Sequence, residues 1–107
     1  MKNVLEGKNC LITGATGGIG KEISELLLKN GCNLFLTSTT EQKLQDLKNN
    51  FESNYKNKVE YATCDLSNLQ EISALSEKVR EKFSSIDILI NSAGTFSIKS
   101  LEESTID

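Results

Sequence analysis

The chain has 107 residues, enough for one small domain; 37% are hydrophobic, 25% are charged, and the net charge is −3, the ordinary balance of a globular protein. That charge gives no reason to expect nucleic acid or an anionic membrane as partner, no apolar run approaches a membrane span, and the N-terminus lacks the apolar core of a signal peptide. A cytoplasmic location is the default. There is no histidine, which removes Ser-His catalysis, Cys-His catalysis and histidine-containing zinc sites together. Cys10, Cys32 and Cys64 stand singly beside predicted strands and read as small apolar residues, not as a disulfide framework or a metal site.

Taken in order, the chain alternates strands with amphipathic helices, and it contains no proline. Cys10-Leu11-Ile12 reads as a buried first strand. The stretch Thr13-Gly14-Ala15-Thr16-Gly17-Gly18-Ile19-Gly20 follows as a glycine-rich turn. Lys21 to Asn30 then predicts a helix, with Ile19, Ile23, Leu26 and Leu27 on one face. In this strand–turn–helix setting Gly14 allows a sharp turn off the strand. Gly18 lets the backbone come close to a ligand, and Gly20 leaves no side chain between helix and sheet. The first helical turn aims unpaired N–H groups and the positive end of the dipole above the loop, where a pyrophosphate fits.

Gly31 stops that helix, and Asn33 to Thr37 is the second strand. The second helix spans Glu41 to Phe51, with Leu44, Leu47 and Phe51 in one stripe; Thr39 and Gln42 suggest its cap. Glu52 to Lys58 reads as a polar loop, and Val59 to Thr63 as the third strand. Helix three begins near Asn68, with Ser67 and Gln70 as a capping box and Leu69, Ile72, Leu75, Val79 and Phe83 at helical spacing. The fourth strand is Asp87 to Asn91, whose apolar centre suits cover on both faces. This alternation predicts an α/β fold with a parallel, doubly wound sheet in the order 3-2-1-4. The order reverses between strands one and four, so a ligand belongs in the crevice at their carboxyl ends.

The form Thr13-Gly14-x-x-x-Gly18-x-Gly20 departs from Gly-x-Gly-x-x-Gly and resembles the short-chain dehydrogenase/reductase family. Cys64-Asp65-Leu66 after strand three and Asn91-Ser92-Ala93-Gly94 after strand four, close to the family's Asn-Asn-Ala-Gly, follow in the same order. The resemblance covers the whole chain and only the first part of the family's domain. Residues 1–107 are therefore read as the N-terminal part of a single NAD(P)-binding Rossmann domain.

The resemblance implies that Gly14, Ala15, Thr16, Gly17, Gly18, Ile19 and Gly20 hold the cofactor's phosphates and ribose. Asp65 accepts from the adenine amino group beside the Leu66 backbone, and Asn91, Ala93 and Gly94 pass the nicotinamide ribose. Asn91 also ties strand four to its neighbours. At the end of strand two, Ser38 and Thr39 stand where an acidic residue would select NAD. Its absence favours NADP over NAD, although the arginines common in NADP-dependent relatives are missing at Gly17 and Ser38. By resemblance the reaction is hydride transfer between nicotinamide and a carbonyl or alcohol, with 3-oxoacyl thioester reduction the leading subtype. The substrate is then a small-molecule or acyl-carrier-linked carbonyl compound, and the full-length form a homo-oligomer.

The family's catalytic tyrosine and the lysine four residues after it find no match. Tyr55 is followed at that spacing by Val59, and Tyr61 by Asp65. No residue is assigned as catalytic, and the isolated chain is expected to be inactive. A complete, non-catalytic nucleotide-binding or interaction module is the alternative. The stop at Asp107 inside a helical pattern, and the missing neighbour of strand four, favour the cofactor half of an enzyme.

Overall fold

A computed structural model describes residues 3–92. Four strands alternate with three helices: β1 (Asn9–Thr13), α1 (Gly18–Lys29), β2 (Asn33–Ser38), α2 (Glu41–Asn54), β3 (Val59–Thr63), α3 (Leu69–Lys82) and β4 (Ile88–Asn91). The strands form one parallel sheet in the order β3-β2-β1-β4, as the alternation predicts. Leu11 pairs with Phe35 on one side and Leu89 on the other, and Thr13 with Thr37 and Asn91.

The two faces of the sheet carry separate apolar layers. Cys10, Ile12, Leu34 and Leu36 point to one side and pack with Leu27 and Leu28 of α1 and Leu44, Leu47 and Phe51 of α2. Phe35 and Ala62 point to the other and pack with Leu75 and Val79 of α3 and with Phe83. The alternation along a strand makes this division, since neighbouring side chains point to opposite faces.

Several elements differ in detail from the expectation. The buried face of α1 runs through Gly20, Ser24, Leu27 and Leu28, with Ile23 beside it. Ile19 and Leu26 are 69% and 60% exposed. Ile19 precedes the row by one residue, about 100° of rotation, which turns it out of the interface. α1 ends at Lys29, and Gly31 after its cap takes a φ of 87°, which lets the N–H groups of Gly31 and Cys32 donate back to Leu28 and Leu27.

α2 continues to Asn54, past the end expected at Phe51, because Glu52 reaches Lys48 one turn back and Ser53 and Asn54 bond the carbonyls of Asn49 and Asn50. Ile72, Leu75 and Val79 of α3 and the C-cap Phe83 face the sheet, whereas Leu69 in the first turn is exposed. Asp87 precedes β4; its N–H donates to the Asn9 carbonyl and its carboxylate accepts from the Asn9 N–H. β4 is not covered on both faces by the described residues: Leu89 is 41% exposed, because α3 packs over β2 and β3 and leaves this outer strand open.

All three cysteines are buried and free. Burial first, and then the neighbouring Cys32, push the Cys10 thiol up to about 12, so it stays neutral and inert. No helix among the described residues is long and apolar enough to cross a membrane.

Candidate functional site

The carboxyl ends of all four strands lie along one edge of the parallel sheet, and each predicted segment follows one of them. After β1, Gly14 takes a φ of 62°, a value that favours glycine, and the chain leaves the strand sharply. The Ala15 N–H donates to the Thr37 carbonyl at 3.1 Å, and the Gly17 N–H to the Gly14 carbonyl at 3.2 Å, which closes the turn. Gly17 is the N-cap of α1 and has no side chain to cap with, and the first turn carries no acidic residue. The N–H groups of that turn therefore face outward without a side-chain acceptor, at the positive end of the helix.

Gly18 and Gly20 perform different tasks. A Cβ on Gly18 would meet nothing within 4 Å, so the space over the helix N-terminus is open at that point. A Cβ on Gly20 would collide with the Gly14 carbonyl oxygen and lie 2.9 Å from Ser92 Oγ and 3.0 Å from Ala15 Cα. The absent side chain at Gly20 is thus required for packing, as the sequence suggests. Exposed Ile19 stands between the two at the mouth of the loop.

The end of β4 is fastened to the same loop. Ser92 Oγ donates to the Thr13 carbonyl at 2.6 Å and lies 3.3 Å from the Gly14 carbonyl. The Thr13 hydroxyl donates to Asn91 Oδ1 at 2.7 Å, so Asn91 does tie β4 to its neighbour. Ser92 fits the narrow space that Gly20 leaves. Ala93 and Gly94 lie outside the described residues.

After β2, Ser38 Oγ accepts from the Thr40 N–H at 3.3 Å, and Thr39 is exposed beside it. The cap expected from Thr39 and Gln42 does not form. Thr40 is the N-cap of α2 and makes no side-chain cap bond; its backbone N–H donates to Ser38 Oγ. Thr37, buried beneath this turn, has a hydroxyl with no hydrogen-bond partner among the described residues.

After β3, Asp65 is exposed at the edge, and its Oδ1 accepts from both the hydroxyl and the N–H of Ser67, at 2.6 and 2.9 Å. These bonds, the hydroxyl's first, hold the carboxyl below its ordinary pKa. Oδ2 has no partner among the described residues and is available to an incoming donor. Ser67 is thereby occupied, so the expected Ser67–Gln70 box is replaced by Asn68, whose side chain caps α3 by accepting from the N–H groups of Gln70 and Glu71. Glu71 reaches back to the Asp65 N–H at 2.9 Å and steadies the segment, with Leu66 half-buried in it.

Sequence reasoning passed over one feature. A cleft of about 550 Å³ opens between the start of α1 and α2, lined by Thr16, Lys21, Lys43, Asp46, Leu47 and Asn50. Lys21 and Lys43 are 22 positions apart, and only the packing of two helices on the same face of the sheet brings them together. Among the described residues, no group of three or more His, Cys, Asp or Glu side chains is placed to hold a metal ion.

A parallel sheet with this order, and a glycine loop opening a helix at its point of reversal, define a Rossmann-type fold. The family described as short chain dehydrogenase matches residues 8–107. The chain belongs to that family. It is 35% identical over 103 residues to an uncharacterized oxidoreductase of Staphylococcus saprophyticus, covering 96% of this chain and 44% of the relative. It is 41% identical over 90 residues to the 3-oxoacyl-[acyl-carrier-protein] reductase of Rickettsia prowazekii, covering 84% and 34%. Among solved structures it is similar to L-sorbose reductase from Gluconobacter frateurii complexed with NADPH and L-sorbose, with a TM-score of 0.83 and 31% identity over 91% of this chain and 37% of that one. The chain thus spans less than half the length of these relatives.

Proposed function

We propose that this chain is the cofactor-binding part of an NAD(P)-dependent oxidoreductase. The observation that carries this reading is the uncapped N-terminus of α1 beneath the open face of Gly18, where the strand order reverses. The residues present fit a dinucleotide. The N–H groups of the first turn of α1, with Ile19 exposed in that turn, receive the pyrophosphate. Ser38 and Thr39 meet the adenosine ribose. Asp65, kept ionised by Ser67, accepts from the adenine amino group beside Leu66. Asn91, Ala93 and Gly94 are assigned to the nicotinamide ribose.

The bound nicotinamide supplies a hydride acceptor or donor for an alcohol or carbonyl compound. This chain's residues position it and hold the loop beneath the pyrophosphate. The proton-transferring group is not among the described tyrosines. Tyr55 ends α2 and Tyr61 lies within β3; both pack on the core of the α1–α2 face, away from the carboxyl edge. The catalytic tyrosine and lysine are therefore assigned outside this chain, which by itself is inactive. NADP is the favoured cofactor, since no carboxylate precedes Glu41 after β2. Reduction of 3-oxoacyl thioesters is the leading reaction, by likeness to the Rickettsia reductase. A cytoplasmic homo-oligomer completes the reading.

Titration of the intact protein with NADPH and NADH, followed by nucleotide fluorescence, tests it. Gly18→Val is expected to abolish binding of both with an unchanged circular dichroism spectrum, because its side chain enters the proposed ligand space and its Cβ meets no protein atom within 4 Å. Unchanged affinity in that folded variant removes the loop from the site.

A further inference from the structure

The arginines that commonly mark NADP use are absent from the glycine loop and from the end of β2, yet no carboxylate selects NAD there. The cleft between α1 and α2 resolves this. Both helices start at the carboxyl edge of the parallel sheet. Lys21, one turn into α1, and Lys43, in the first turn of α2, line the cleft together with Thr16 of the loop. Neither lysine forms a salt bridge among the described residues; the ion pairs nearby use Lys29 and Lys48 instead. Leu47 is buried at the cleft floor. Asp46 is the one carboxylate in the lining, and its Oδ1 is engaged by the Gln42 amide at 2.9 Å. Two ammonium groups without a salt bridge and a hydroxyl donor thus line one cleft, which opens by the positive end of α1 and the start of α2, the helix that follows Ser38 and Thr39.

We propose that the Thr16–Lys21–Lys43 cleft receives the 2′-phosphate of NADP, and that Lys21 and Lys43 are the specificity-determining residues. The proposal rests on the reading of the glycine loop as a dinucleotide site. It places the selecting charge on two helices instead of on the loop or the strand end. Lysine suits the task as a mobile point charge with three donors, able to follow a phosphate across an open cleft. Asp46 works against the phosphate by charge and sets the degree of preference.

The test compares dissociation constants for NADPH and NADH in the intact protein and in three variants with verified melting curves. Lys21→Gln and Lys43→Gln are each expected to lower the NADPH-over-NADH preference about 3- to 10-fold, the effect of removing one partly screened charge-assisted bond to phosphate. Asp46→Asn is expected to raise NADPH affinity about 2-fold, a gain that misfolding cannot produce. Competition separates the ligand's source: 2′,5′-ADP is expected to displace NADPH better than 5′-ADP or inorganic phosphate at equal concentration. A wild-type protein that binds both dinucleotides without preference overturns the proposal and leaves the loop's role intact. So does a Lys21→Gln, Lys43→Gln double variant with its preference unchanged, or inorganic phosphate competing as well as 2′,5′-ADP. A wild-type protein that binds neither dinucleotide overturns the loop reading and this proposal together.

Discussion

Replacing Gly20 by alanine separates packing from ligand binding at the glycine loop. The new methyl group would collide with the Gly14 carbonyl oxygen and lie 2.9 Å from Ser92 Oγ and 3.0 Å from Ala15 Cα, where ordinary contact begins at 3.4 Å. Two of the three obstacles are backbone atoms. The Gly14 carbonyl accepts from the Gly17 N–H, so it cannot retreat without opening the turn. Overpacking of this kind costs about 1–3 kcal/mol. Alanine's better helix propensity returns at most about 1 kcal/mol, and less in a first turn. A net loss of roughly 1–2 kcal/mol follows, measured as a lower urea midpoint at unchanged slope. Gly18→Ala is the control. It meets nothing within 4 Å and its φ is not positive, so its stability should lie within about 0.5 kcal/mol of wild type. Removing the Ser92 hydroxyl with Ser92→Ala should recover only a minor part of the Gly20→Ala loss, because the backbone obstacles remain. A Gly20→Ala protein with the wild-type midpoint would refute the claim that helix-to-loop packing requires this glycine.

Three further outcomes follow from neighbouring residues. Ser38→Asp should shift nucleotide preference toward NADH, since a carboxylate there repels a 2′-phosphate and can still accept from the Thr40 N–H as Ser38 does; paired NADPH and NADH titrations read it. Thr37→Val should raise stability by up to about 1 kcal/mol in chemical denaturation, because it removes a buried hydroxyl without a described partner and keeps the shape of the side chain. The Cys10 thiol titrates in the fold at about 12, above its ordinary 9.0, because burial and Cys32 disfavour the thiolate. Its contribution is therefore complete below pH 9 and is lost as the unfolded thiol ionises first, between 9 and 12. The stability difference between wild type and Cys10→Ala, followed across that range, should shrink as the pH rises.

The strands and their order were legible because each is a short apolar run closed by a turn signal and separated from the next by a helical period. The phase of α1 was not. Its buried face opens with Gly20 and Ser24, the latter bonded to the Gly20 carbonyl at 2.7 Å, and small residues at a close approach carry no hydrophobic signal. The pattern of large apolar residues therefore pointed at Ile19 and Leu26, which face outward. The cap of α3 was displaced by one residue because Ser67 and Asn68 are both competent caps, and only the carboxylate of Asp65 decides which of them is free. Lys21 and Lys43 carry no motif signal of their own. Nothing local to either one indicates a shared cleft.

The shape of the phosphate loop is a tertiary property, although its glycine spacing can be read locally. β2 holds it from one side through the Ala15 N–H and the Thr37 carbonyl. β4 holds it from the other through Ser92 Oγ, which bonds the Thr13 carbonyl and approaches that of Gly14. α1 closes against it from above only because Gly20 presents no side chain. Each of these contacts uses a backbone carbonyl at the strand ends and leaves the N–H groups of the first helical turn turned outward. The loop is thus rigid on its acceptor side and open on its donor side, the arrangement an anion requires. The hydrogen bond between Thr13 and Asn91 extends this rigidity to the segment assigned to the nicotinamide ribose. On the proposed reading, one pair of neighbouring strands, β1 and β4, would hold the pyrophosphate end and the reactive end of a dinucleotide in register, at the crevice where the strand order reverses.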